Sequence, residues 1–433
     1  MSAATTTPIT DDIAPIEHVH VESTDARRAR LSTGALLVAV GLLLAGLSLS
    51  ATGPANFALS NAFDQMKLPT IVLPGAPTVI TCAILFALAG AGMLSGRLRA
   101  KQPVLAGTIA GVAFILGFLA WAAAGSSLPF PVSQQLSGTV ATATPLILGA
   151  LAGVLCERSG VVNVAIEGQF LTAAFTAAVV GSVTKSIPAA LFAAVVASVA
   201  TAALLALFSI KYLVDQVVLG VVINLLASGL TGFFFDQLVQ PNSAQLNSAP
   251  IMPTIPIPGL ASIPLLGPIL FNQTILVYLA VISVAVVWFL LYRTRWGLRV
   301  RSVGEHPKAA DTVGINVRAV RWQAVLVGGI FAGLGGAFFT VGSTGAFIKD
   351  ITVGNGFIAL AALIMGRWHP VRAAVMALFF GFVTQMASQL QTLSTPMPSE
   401  FLLMLPYIAT IIAVAGLIGR TRAPAADGQP YVK

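Results

Sequence analysis

The sequence predicts an all-α, polytopic helical membrane protein with about twelve membrane segments. Three observations carry that prediction. The first is composition: of 433 residues, 57% are hydrophobic and only 9% charged, and the mean hydropathy is +0.91. A soluble domain carries roughly a quarter of its residues as charges, so lipid has to be the solvent for most of this surface. The second is a recurrence of apolar runs near the length of about 20 residues that a bilayer requires. The third is a one-sided distribution of positive charge. The formal net charge of +8 does not point to nucleic acid. That reading needs bases gathered on one soluble face, and here they lie between apolar runs.

Taken in order, residues 1–30 are polar, with Asp11, Asp12, Glu17, Glu22 and Asp25 ahead of Arg27, Arg28 and Arg30. Acids are the wrong flank for a signal peptide, and the stretch reads as a disordered cytosolic tail with His18 and His20 solvated. Apolar runs follow at 31–51, 77–96, 103–124, 137–156, 162–181, 188–209, 217–235, 273–292, 322–342, 354–366, 372–390 and 401–419. The first three make an additional N-terminal three-span region, 31–124, ahead of a core at 137–420. Residues 421–433 read as a second cytosolic tail. The tenth run, Gly354 to Gly366, is short, as in a re-entrant segment or a broken helix buried by its neighbours. The loop 236–272 has one acid, Asp236, no base, and prolines from Pro250 to Pro258. Proline opposes regular pairing, which predicts an extended or partly re-entrant segment at the outer surface.

Orientation follows from counting bases. Alternating sides from a cytosolic N-terminus puts twenty Lys and Arg in the cytosol and leaves Lys67, Lys185 and Lys349 outside. The positive-inside rule counts such residues near span ends, and one missed span would scramble the bias. The expectation is a multi-pass protein of the plasma (inner) membrane with both termini cytoplasmic.

No GxxxxGK[ST] phosphate loop occurs, and no glycine is followed directly by lysine. A motor of that kind is therefore not carried on this chain. The most informative cytosolic element runs from Tyr292 to Arg321. Its centre, Glu305 to Val313, suits a short helix: His306-Pro307 fits a first turn, Ala309, Ala310 and Val313 give a small apolar face, and Gly314 gives a stop. Such a loop is either solvated or a docking helix for the groove of a cytosolic partner.

The segment Gly304-Glu-His-Pro-Lys-Ala-Ala-Asp-Thr-Val-Gly-Ile-Asn316 resembles the cytosolic coupling segment of ABC importer permeases, in the branch serving nucleosides, simple sugars and branched-chain amino acids. Three further blocks resemble the same family in its order: Glu157-Arg-Ser-Gly-Val-Val-Asn-Val-Ala-Ile-Glu-Gly168, Asp215-Gln-Val-Val-Leu-Gly-Val-Val-Ile-Asn224, and Gly354 to Gly366 followed by a basic turn with Pro370. The first of these is most similar to the nucleoside-type subgroup. The resemblance implies that Gly304, Glu305, His306, Pro307, Lys308, Ala309, Ala310 and Gly314 couple to a separate ATP-binding subunit. It also implies a second permease subunit and an extracytoplasmic solute-binding protein. No cofactor is then expected in this chain, ATP and Mg being held by the partner ATPase. The region 31–124 precedes the blocks and has no role in the resemblance.

Charged and amide side chains inside apolar runs are functional candidates. Glu157 and Arg158, at the inner end of the fourth run, read as an interfacial anchor or a site. Glu167 lies within the fifth run, four residues after Asn163, a spacing that puts both on one helical face. Its carboxylate would either touch solute or clamp backbone amides at a broken helix. Asn224, with Gln216 two turns earlier, and Asn355, Gln385 and Gln389 could serve a passage for hydroxylated or heterocyclic solutes, or tie helices together. Asn163, Glu167, Asn224 and Asn355 are the candidates for the translocation pathway. Cys82 and Cys156 read as core thiols and no metal site is expected. Gly329-x-x-x-Gly333 predicts close helix packing. Two alternatives stand beside the importer: a permease of the same family for sugars or branched-chain amino acids, and an ion-coupled carrier using Glu167. The spacing His306…Asp311 found in membrane acyltransferases is too short a pattern to support an enzyme.

Overall fold

The computed structural model describes residues 24–60, 67–96, 103–393 and 422–432, with a few positions between 400 and 408. Helices dominate: α1 (Thr24–Ser48), α2 (Gly75–Leu94), α3 (Pro103–Ala123), α4 (Val132–Glu157), α5 (Ile166–Thr184), α6 (Ile187–Ala206) and α7 (Gln216–Phe234). After these come α8 (Ser243–Leu246), α9 (Ile275–Arg293), α10 (Arg295–Glu305), α11 (Pro307–Thr312), α12 (Val317–Phe338), α13 (Asn355–Met365) and α14 (Pro370–Thr392). Among the described residues nine helices are long and apolar enough to cross a membrane, and α13 and the stretch Gly111–Ala123 of α3 are shorter apolar helices. The chain is a polytopic helical membrane protein. The twelfth expected run, 401–419, lies almost wholly outside the described residues, as do residues 1–23 of the expected tail.

The helix α4 is the axis. Of its span 83% is buried, against 17% for α1, and Leu146, Leu148, Leu151 and Leu155 are fully enclosed. Around it pack α14, α12, α13 and α9. Glycines let backbones meet. A Cβ at Gly381 of α14 would stand 2.7 Å from the Ala143 Cβ, and Thr142 donates to the Gly381 carbonyl at 3.0 Å. On α12 a Cβ at Gly333 would stand 2.7 Å from the Cα of Val195 on α6, and one at Gly336 would stand 2.5 Å from the Phe170 carbonyl of α5. That is the close approach the glycine spacing predicts.

Several expectations need correction. The first helix begins at Thr24, inside the stretch read as a tail. The N-terminal region is not purely helical: β1 (Pro54–Ala58) pairs antiparallel with β2 (Ile71–Pro74) and parallel with β3 (Phe130–Pro131). Strands of two to five residues leave too little period-two pattern to read. This region has its own core of Leu44, Phe86, Phe118, Trp121 and Phe130, which extends to Met386 and Leu390 of α14. Between α8 and α9, β4 (Thr254–Pro256) pairs with β5 (Asn272–Thr274) despite its proline; a proline at a strand end leaves most of so short a ladder intact. Single π-turns prolong α6, α7 and α12 at Leu207–Lys211, Phe235–Val239 and Thr340–Thr344.

Candidate functional site: a broken helix and a short helix pair

The fifth apolar run is not one helix. After α4 ends at Glu157, the turn Arg158–Gly160 reverses the chain with Gly160 at φ +85°, a conformation that glycine adopts without strain. Residues 161–165 stay non-helical until α5 starts at Ile166. Asn163 therefore lies outside the helix that carries Glu167, and the two do not share a helical face.

A break of this kind leaves backbone groups without helical partners, and buried ones must be satisfied. Two amides from one face of α7 do much of this. Gln216 Oε1 accepts from the Val162 N–H at 2.7 Å. Asn224 Nδ2 donates to the Val164 carbonyl at 2.9 Å, and its Oδ1 accepts from the Gly168 N–H at 2.8 Å. Asn163, fully buried, donates to Gln169 Oε1 at 3.3 Å. Glu157 accepts from Trp368 Nε1 and from the Asn163 backbone, so it is buried and bonded rather than anchored in the headgroup zone.

Glu167 faces the other short element. The 11 residues of α13 rise only about 16 Å, half a bilayer core, so its N-terminus ends inside the protein with unpaired N–H groups. Gly354, at φ +76°, precedes its first turn. The Glu167 carboxylate supplies the missing acceptors. Its Oε1 accepts from the Gly354 N–H at 2.9 Å and from the Thr352 hydroxyl at 2.5 Å, and its Oε2 accepts from the Gly356 N–H at 2.6 Å. A negative group also complements the positive end of the helix dipole. Asn355 closes the local turn through Nδ2 to the Thr352 carbonyl at 2.8 Å. Glu167, Asn224 and Asn355 thus meet around the two breaks, and each spends side-chain atoms on the protein's own backbone.

On the face carrying Tyr292–Arg321, the short helix expected within Glu305–Val313 is α11, and a further helix, α10, precedes it. α10 ends at Glu305, His306 interrupts, and Pro307 opens α11. Pro307 has no N–H to continue α10, which explains the interruption. Gly304 is buried so tightly that a Cβ would stand 2.2 Å from the Arg158 carbonyl. Ala310 turns inward, whereas Glu305, His306, Lys308, Ala309 and Val313 are exposed. Gly314, at φ +84°, ends α11 as its composition suggests.

Residues 422–432 are folded against the protein. They run beneath this pair: the Ala426 N–H donates to the Gly304 carbonyl at 2.9 Å, and the Ala425 N–H to the Glu305 carboxylate at 3.2 Å. Arg321, in the second turn of α12, is buried; its Nε reaches the Ser159 carbonyl at 3.2 Å and its Nη1 the Gln429 carbonyl at 2.9 Å. Burial pushes the Asp427 carboxyl up to about 7, against the opposing pull of Arg321. Burial also lowers the pKa of His369, with Arg372 and Arg158 adding to the effect; its ring stacks on Tyr292 at 5.3 Å, over which Arg301 sits at 5.0 Å. Sequence reasoning missed Arg321, Thr352, Trp368 and the 422–432 segment. Arg321 looks like any inside base, and nothing in its spacing signals burial.

Residues 135–414 match the family described as branched-chain amino acid transport system / permease component. A guanosine ABC transporter permease protein of Bacillus subtilis is 42% identical over 312 residues, which is 70% of this chain and 97% of that protein. A nucleoside ABC transporter permease protein of Lactococcus lactis is 39% identical, over 67% of this chain and 94% of the relative. A putative glucose ABC transporter permease protein of Haloferax volcanii is 35% identical, over 66% of this chain and 92% of the relative. No solved structure matches the chain. The chain belongs to the permease component family of the branched-chain amino acid transport system, and is a transport component.

Proposed function

We propose that this chain is the membrane permease subunit of an ATP-driven importer of nucleosides. The observation that carries the solute class is the 42% identity to a guanosine permease over nearly that protein's whole length, supported by the 39% identity to a nucleoside permease. A putative glucose permease is more distant, at 35%. In this reading the exposed face of α10 and α11, with His306, Ala309 and Val313, docks into a separate ATPase that holds ATP and Mg. A second permease completes the pathway, an extracytoplasmic binding protein delivers the solute, and both termini are cytoplasmic. Gly304 rests on the Arg158 carbonyl, so displacement of the helix pair is passed to the break at 158–165. From there Glu167 passes it to α13. Asn163, Glu167, Asn224 and Asn355 set the shape of the pathway wall from behind.

The test is uptake into vesicles holding the complete transporter, with ATP and no ion gradient. Labelled guanosine or uridine should accumulate, and excess glucose or leucine should not compete. Uptake that survives an inactive ATPase and collapses with a protonophore would instead make the chain an ion-coupled carrier.

A further inference from the structure

Residues 422–432 lie beyond the family match, which ends at 414, yet they contact every part of the cytosolic device. They touch both helices of the pair. At α10 the Ala426 and Ala425 amides hold the Gly304 carbonyl and the Glu305 carboxylate. At α11 the Tyr431 hydroxyl bonds to the Asp311 side chain, while the Tyr431 ring is buried in the main core. They also touch the elements behind the pair. Arg321 of α12 ties the Gln429 carbonyl to the Ser159 carbonyl of the turn after α4. A Cβ at Gly160 would stand 2.9 Å from the Ala426 carbonyl, and one at Gly428 3.3 Å from Val162. The strap is itself folded, through turn bonds from the Asp427 N–H to the Pro424 carbonyl and from the Gln429 N–H to the Ala426 carbonyl.

An extended solvated tail would make no such set of contacts, because ordering each residue costs about 1–2 kcal/mol of backbone entropy. The alternative to the strap is also informative. Without it α10 and α11 would be held to the membrane helices by the close seat of Gly304 on the Arg158 turn, the 4.0 Å pair of Arg158 with Glu305, the 3.1 Å bond from Trp296 Nε1 to Gln323, and the core side chains Val300, Val303 and Ala310. The polar attachments named here are all on α10, so α11 is left to tilt about Ala310. A second line of attachment on the far side, running from Gly304 past Gln429 to Asp311, removes that freedom.

We propose that residues 422–432 are a positioning strap that locks the coupling pair α10–α11 to α12 and to the turn after α4, so that motion imposed on the pair reaches the membrane helices without slippage. The proposal rests on the reading of this chain as an ATP-driven permease subunit. The strap is then a determinant of coupling efficiency, separate from ATPase docking, whose exposed surface is supplied by His306, Ala309 and Val313.

The experiment uses the complete transporter in vesicles, measuring solute uptake and ATP hydrolysis in the same sample. Wild-type uptake must depend on ATP; if it does not, the importer reading fails rather than the strap. In a chain deleted for 422–433, and separately in Tyr431→Phe combined with Ala426→Pro, the ATPase should still co-purify and hydrolyse ATP. Molecules imported per ATP should fall by about five-fold or more, the lower range of an energetic coupling between sites. Should the deleted chain fail to accumulate, a double variant Ala425→Cys and Glu305→Cys keeps the question open to test. Joining the two thiols with a short crosslinker fixes the strap to the pair. Uptake per ATP equal to that of the same variant before crosslinking supports a strap that moves with the pair. Loss of uptake on crosslinking, or an unchanged ratio in the deletion, overturns the proposal.

Discussion

Replacing Glu167 separates the two chemical roles that an acid in this place can have. Its carboxylate accepts three hydrogen bonds, from Thr352, Gly354 and Gly356, at 2.5, 2.9 and 2.6 Å. Glu167→Ala orphans two backbone donors at the start of α13, and a buried donor without a partner costs about 1–3 kcal/mol. The loss is therefore about 2–6 kcal/mol, a large fraction of the 5–15 kcal/mol typical of a folded domain. Glu167→Gln is milder. One oxygen survives as an acceptor, but the new NH2 confronts an N–H, so at least one charge-assisted bond worth about 1.5–3 kcal/mol is lost. The assay is thermal unfolding of the purified chain in lipid nanodiscs, where Gln should lower the midpoint by about 2–3 °C. Thr352→Val removes one donor, and because both changes touch the same carboxylate their effects should not add in a double-mutant cycle. A coupling-ion site makes the opposite prediction: Glu167→Gln would abolish uptake and leave the midpoint unchanged. That result, with an additive cycle, would refute the clamp.

Three further outcomes follow from the same geometry. Asn224→Ala should destabilise the chain by about 2–6 kcal/mol, since it strands the Gly168 N–H and the Val164 carbonyl together; urea or thermal unfolding reads it. Gly304→Ala places a Cβ 2.2 Å from the Arg158 carbonyl, forcing the α10–α11 pair off its seat; uptake should drop while membrane insertion, read by surface expression, stays normal. The docked strap should also respond to pH. Asp427 is raised from 3.8 to about 7 on burial, so the docked state binds the extra proton; docking is firmest below about pH 4, weakens as pH rises through about 7, and is flat above. Glu157 and Arg321 are the charged groups facing it. Hydrogen exchange of residues 425–431, corrected for intrinsic rates, should show the trend, and Asp427→Asn should lose it.

Much of this molecule can be read from its residues because lipid imposes strict rules. Length and apolarity locate the spans, and the glycines of α12 announce close packing that the structure delivers at Gly333 and Gly336. The shortness of Gly354–Gly366 announces a broken element, since no 11-residue helix reaches across about 30 Å. What periodicity cannot show is a break inside a run that stays apolar. Val161 to Ile166 is apolar except for Asn163, as a membrane span can be, and the positive φ of Gly160 with amides from the distant α7 holds it open. The strap was illegible for a related reason. Its sequence, Ala-Pro-Ala-Ala-Asp-Gly-Gln-Pro-Tyr from Ala423 to Tyr431, has no span and no period, and its bonds are made mostly by backbone atoms whose partners lie more than a hundred residues away.

The four blocks that carry the family resemblance are scattered from Glu157 to Gly366, yet their contacts form one connected chain. Block Glu157–Gly168 touches block Gly354–Gly366 through Glu167, block Asp215–Asn224 through Asn224 and Gln216, and block Gly304–Asn316 through the seat of Gly304 on Arg158. Each junction is made where a helix is interrupted, by a side chain or glycine whose replacement leaves a backbone group orphaned or a Cβ overlapping. Residue identity is therefore most constrained at the breaks, while the intact spans need only apolar side chains of fitting volume. That physical asymmetry is why short motifs, and not the long helices, are where function can be read in this sequence. It also places the most sensitive mutations in the wall around the breaks, ahead of any residue that solute itself would touch.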